Sequence, residues 1–141
     1  MASAPVVVIL NSNDDVVEML RIVIEQAGLI AISGQVDKIR RGEMSLPDFV
    51  AQHDPEVIIY DLVPPYDRSW RFLEHLREAP AMKGRKFIIT STNVQRAREI
   101  VGDTAQVYEI VGKPYDIHQL VEAVLRAAGR GPDLPNNARR V

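Results

Sequence analysis

Cysteine is missing from all 141 residues. That excludes a disulfide framework and any cysteine-ligated zinc centre. Histidine is scarce, with His53, His75 and His118 scattered at no ligand spacing, so all three are expected on the surface. Neither sign of charge dominates: 17 Lys and Arg face 19 Asp and Glu, a net charge of −2. A chain so balanced lacks the basic surplus of a general nucleic-acid binder. Long apolar runs are absent too. The best, Val6 to Leu10, is far short of the ~20 residues a spanning helix needs. No basic, apolar leader pattern opens the chain. Neither nucleic acid nor membrane is therefore expected as a partner, and a cytoplasmic location is. Glycine-rich phosphate loops of the Gly-x-Gly-x-x-Gly or Walker A kind do not occur.

What remains is a chain of ordinary globular composition, 46% hydrophobic and 26% charged. Its length suits one domain that builds a core without staples. Apolar, β-branched runs alternate with helical periodicity. Val6–Leu10 is continuously apolar, as in a strand covered on both faces. Asn11-Ser12-Asn13 breaks it, and 14–27 reads as a helix with Asn13 as N-cap and Gly28 as its stop. Strands are then predicted at 29–33, 56–60, 86–90 and 106–111. Between the second and third strands, 37–41 is polar and basic, Gly42 interrupts, and a helix restarts at Ser45 with Pro47 in its first turn. Further helices are predicted at 68–77, 94–101 and 116–128, the last capped by Asp116 with Gln119 at the capping-box position. Inward positions of the 68–77 helix are Trp70 or Phe72, Leu73 and Leu76.

Strands alternating with helices give an α/β fold: a (βα)5, doubly wound, five-stranded parallel sheet. The expected order is 2-1-3-4-5, with the short, more polar 29–33 strand at an edge. The domain is expected over 5–128. Residues 129–141, rich in Gly and Pro, read as a flexible C-terminal tail.

In such sheets ligands bind at the carboxyl ends of the strands. Those ends carry Asn11, Ser12 and Asn13, then Asp61, then Ser91 and Thr92, then Lys113 and Pro114. A carboxylate, hydroxyls and an amine converging on one rim suit phosphoryl chemistry. The Asp acts as nucleophile, and the Lys and a hydroxyl hold the phosphoryl oxygens. Taken singly, each has a plainer reading as a cap, a turn residue or an exposed loop.

Their joint spacing resembles the receiver domain of bacterial two-component response regulators. Tyr60-Asp61-Leu62-Val63-Pro64-Pro65 is similar to the family's phosphoacceptor loop, Asp-Leu-x-Met-Pro, with Pro64 where Met is common. Ser91 lies 30 residues on (91 − 61) and Lys113 a further 22 (113 − 91), the family's intervals to its switch Ser/Thr and its invariant Lys. Pro114 follows as in the family's Lys-Pro pair, and Tyr115-Asp116 matches the common Phe-Asp. The resemblance implies a flavodoxin- and receiver-like fold and no enzyme, but a stand-alone receiver in phosphorelay signal transduction.

On that resemblance Asp61 accepts a phosphoryl group from a histidine kinase or phosphotransfer protein. Lys113 pairs with it, Ser91 bonds it and moves inward on activation, Thr92 lies beside this switch, and a cis bond precedes Pro114. The signal leaves by contact with a downstream protein partner or a second copy of the chain. The implied surface is the 94–101 helix, fifth strand and last helix, with Arg96, Arg98, Glu99, Tyr108, Ile110, His118 and Glu122.

Two departures stand out. The family's acidic pair, which helps bind Mg²⁺, falls at Asn11 and Ser12. With Asp61 and the Val63 carbonyl these make a weakened Mg²⁺ site, since Mg²⁺ is normally held through carboxylates. Ile110 stands where the family usually has an aromatic switch residue. A pseudo-receiver acting independently of phosphorylation is the alternative, and a small α/β enzyme a third.

Overall fold

The computed structural model describes residues 4–102, 107–113 and 116–129. Five parallel strands, β1 (Val6–Leu10), β2 (Ile30–Gly34), β3 (Val57–Asp61), β4 (Lys86–Ser91) and β5 (Val107–Gly112), lie in the order 2-1-3-4-5. Helices cover both faces: α1 (Asp14–Gln26), α2 (Val36–Arg40), α3 (Leu46–His53), α4 (Tyr66–Arg77), α5 (Val94–Val101) and α6 (Ile117–Ala127). A 3₁₀ turn at Pro80–Met82 precedes β4.

Strand alternation divides the core in two. Val7, Ile9, Val57, Ile59, Ile88 and Val111 pack with α1 and α6. Val8, Leu10, Ile58, Tyr60, Phe87 and Ile89 pack on the other face with α2 to α5. Because both faces are covered, β1 and β3 read as unbroken apolar runs rather than alternating ones. The edge strand β2 is more exposed along its length.

Local signals account for the element ends. The Asn13 side chain accepts from the Asp15 and Val16 N–H groups at 3.0 and 3.1 Å, closing the first turn of α1. Asp14 and Asp15 lie in that turn, where the helix dipole favours negative charge. Gly28, at φ +89°, turns the chain out of the helix. Replacing Asn13 with alanine is expected to cost about 1 kcal/mol, read from the urea midpoint. The Asp116 cap is formed as well, on the Gln119 N–H at 3.1 Å.

Several boundaries depart from the sequence reading. The break at Gly42 (φ +75°) falls where the sequence places it, but a helix stands on either side of it, so six helices serve five strands among the described residues. Helix α4 starts at Tyr66 rather than Arg68, since Pro65 at its N-cap leads straight into the first turn. Strands β2, β3, β4 and β5 end one residue later than expected, at Gly34, Asp61, Ser91 and Gly112, because their ladders run that far. His53 is half-buried, its ring 4.5 Å from that of Phe49, whereas His75 and His118 are exposed. The expected tail from residue 130 on, the Tyr115 position, and Pro114 with the cis bond before it lie outside the described residues. The cis bond that is described joins Pro64 to Pro65.

Candidate functional site

Asp61 is the last residue of β3, and strand parity decides its company. It continues the series Val57, Ile59 and so sits on the α1/α6 face of the sheet. Three neighbours share that parity: Asn11 beyond Ile9, Thr90 beyond Ile88, and Lys113 beyond Val111. Register places Thr90 directly beside Asp61.

The contacts follow. The Lys113 Nζ lies 2.9 Å from Asp61 Oδ1 and 3.1 Å from Oδ2. The Thr90 hydroxyl donates to Asp61 Oδ1 at 2.8 Å. Asp61 is only 7% exposed, so its charge is largely removed from water. A carboxylate so placed is tenable only with a counter-charge and hydrogen bonds, and Lys113 and Thr90 supply them. Thr90 was not selected from the sequence. Its signal was there, in the one-residue difference of parity from Ser91.

Ser91 is fully buried, and its parity turns it to the other face. Its hydroxyl accepts from the Asn93 N–H at 3.1 Å and donates to the Asn93 carbonyl at 3.3 Å. Its own carbonyl accepts from the Lys113 N–H at 2.9 Å, so Ser91 fixes the backbone from which Lys113 reaches Asp61. Gly112 pairs with Ser91, and a Cβ there would meet Val94 Cγ2 at 2.9 Å. The absent side chain lets α5 start close against β5. Thr92 is exposed, its hydroxyl 2.9 Å from that of Tyr66. Ile110 is half-buried against the α2–α5 core.

Of the metal candidates, Asn11 shares the sheet face of Asp61. The Asn11 Oδ1 already accepts from the Asn13 N–H at 2.8 Å. Ser12, Asp14 and Asp15 are exposed, and Val63 lines a groove with Tyr60, Pro64 and Pro65. No cluster of three acidic or histidine side chains that could hold a metal occurs among the described residues. Both Asp61 oxygens are engaged by Lys113 and Thr90. These donors do not fit a strong Mg²⁺ site. Trp70 is buried, with the Arg77 guanidinium 5.0 Å over its ring, and so packs in the core rather than at the rim.

No family model matches the chain, and no curated relative does. Solved structures do match. A sensor protein from Polaromonas sp. JS666 superposes with a TM-score of 0.72 at 19% identity, over 89% of this chain and 96% of that one. A response regulator from Thermotoga maritima gives 0.70 at 16%, over 89% and 98%. A response regulator receiver domain (CheY-like) from Methylobacillus flagellatus gives 0.65 at 21%, over 89% and 99%. This is the receiver fold. Within that fold Asp61 stands at the end of the third strand with Lys113 from beyond the fifth closed upon it. No helix among the described residues is long and apolar enough to cross a membrane.

The face implied for output is, in this receiver fold, already paired within itself. Arg96 holds Glu99 at 3.1 Å, Arg126 holds Glu109 at 3.0 Å, and His118 lies 3.0 Å from Glu122. The side chain of Tyr108 lies outside the described residues.

Proposed function

We propose that the chain is a signalling receiver in a phosphorelay, not an enzyme, and that Asp61 is its phosphoacceptor. The observation that supports this most is the buried Asp61 carboxylate held by Lys113 and Thr90 at the carboxyl rim of a parallel sheet. In the reaction one carboxylate oxygen attacks the phosphorus of a phosphohistidine or small acyl phosphate. The donor's P–N or P–O bond breaks, its electron pair leaves with the donor, and an acyl phosphate forms on Asp61. Lys113 then offsets the phosphoryl charge. The histidine kinase or phosphotransfer protein and the downstream protein are its partners on this reading.

One observation favours a second reading, a pseudo-receiver that works through protein contacts without phosphorylation. Asn11 and Ser12 stand at the acidic-pair positions, no cluster of three acidic or histidine side chains forms among the described residues, and both Asp61 oxygens are already bonded.

Acetyl phosphate and phosphoramidate distinguish them, with intact mass as the readout. A one-phosphoryl mass gain in the wild type, absent in Asp61→Asn, is the expected result. A wild type that stays unlabelled at high Mg²⁺ would sink the phosphoacceptor role. A label that persists in Asp61→Asn would move it to another residue.

A further inference from the structure

The two edges of the sheet are built differently. At one edge β5 carries Glu109, which Arg126 grips at 3.0 Å and Gln119 approaches at 3.5 Å. The β4–β5 ladder is also irregular between Phe87 and Ile88. Charge and irregularity are the usual means of blunting an edge. The other edge has neither. Strand β2 is Ile30-Ala31-Ile32-Ser33-Gly34, without charge or proline, in unbroken register with β1. Ile30 is 41% exposed, one of two large apolar side chains so exposed among the described residues. No described strand pairs with the outer side of β2.

Its hydrogen-bonding pattern is self-complementary. The Ile30 N–H donates inward to the Pro5 carbonyl at 3.0 Å. By alternation Ile32 and Gly34 also face β1, and the N–H and C=O groups of Ala31 and Ser33 face outward. A second copy related by a two-fold axis through Ile32 would run antiparallel. Ala31 of each copy would exchange both bonds with Ser33 of the other, giving four bonds. The two Ile32 side chains would meet in the close, non-hydrogen-bonded position, and each Ile30 would lie across from a Gly34. Each edge thereby supplies what the other lacks.

We propose that β2 is a homodimer interface, joining two copies by antiparallel β2–β2 pairing into one continuous sheet. The inference is independent of phosphorylation. A five-residue strand pair buries less than a standard interface, so the dimer is weak, with a dissociation constant on the order of 100 µM to 1 mM.

Sedimentation velocity of the wild type, from ~10 µM to ~1 mM, should show a monomer–dimer shift. Hydrogen exchange should slow at the Ala31 and Ser33 amides as concentration rises. Ile32→Lys sets two like charges opposite each other and should abolish the shift. Ser33→Lys, at an exposed position, should do the same without disturbing the monomer, whose circular dichroism is the control. Arg96→Glu with Glu99→Arg, on α5, should leave the dimer intact. A monomer at every concentration would overturn the proposal. So would a dimer that survives both lysines, one lost on reversing the α5 charges, or protection at residues 31 and 33 that does not depend on concentration.

Discussion

Replacing Lys113 with methionine is expected to destabilise the fold by about 3 kcal/mol, read from urea denaturation. The substitution keeps the apolar stem and removes the charge. It leaves the Asp61 carboxylate, whose side chain is 8% exposed, with only the Thr90 hydroxyl as partner. Breaking one side of a buried pair typically costs 3–5 kcal/mol, because the remaining charge is stranded. The lower end applies since the Lys113 side chain is 24% exposed and the pair is partly screened. The reverse deletion is milder. Asp61→Asn leaves an ammonium that turns to solvent, with a cost of roughly 1 kcal/mol. Combining Asp61→Asn with Lys113→Met should therefore recover most of the loss, and the double-mutant cycle isolates the pair. A Lys113→Met protein within ~0.5 kcal/mol of wild type would mean that Asp61 does not depend on Lys113.

That pairing was readable in advance because the cues were long-range but rigid. Continuously apolar strands imply a parallel sheet, a parallel sheet gathers its carboxyl ends on one rim, and Asp61 and Lys113 are both rim residues. What escaped is set by single-residue steps. Interval alone selects Ser91, while parity selects Thr90, and only the β3–β4 register resolves the two. The start of α4 turned on the backbone at Pro64–Pro65, which residue type does not determine. The Tyr66–Thr92 hydroxyl contact joins the start of α4 to the loop after β4, 26 residues apart, with no sequence signal of its own. The edges differ likewise. That β2 is uncharged is plain from its five residues, but its outward amides follow only from the Ile30–Pro5 bond that sets its phase.

The metal question has a constructive test, and the expected effect is large. Asn11→Asp with Ser12→Asp should convert a millimolar or absent Mg²⁺ response into binding near ~0.1 mM, at least a tenfold gain. The substitution is compatible with the local backbone. An Asp oxygen at position 11 accepts the Asn13 N–H as the amide oxygen does now, at 2.8 Å, and leaves the second oxygen for the cation. Position 11 continues β1 on the same face as Asp61, and Leu10 pairs with Tyr60, so the new carboxylate stands next to the old one. Without metal the added charges repel, and the double variant should be less stable than wild type. With 10 mM Mg²⁺, about 100 times that dissociation constant, linkage returns about 2.7 kcal/mol. The readout is a thermal midpoint that rises with Mg²⁺ in the variant and stays flat in the wild type, with calorimetry giving the affinity. Tight binding by the wild type would show that the Asp61 carboxylate gives up Lys113 or Thr90 for the ion. If the variant gained nothing, the Lys113–Asp61 pair itself, rather than the missing acids, would be what closes the site to metal.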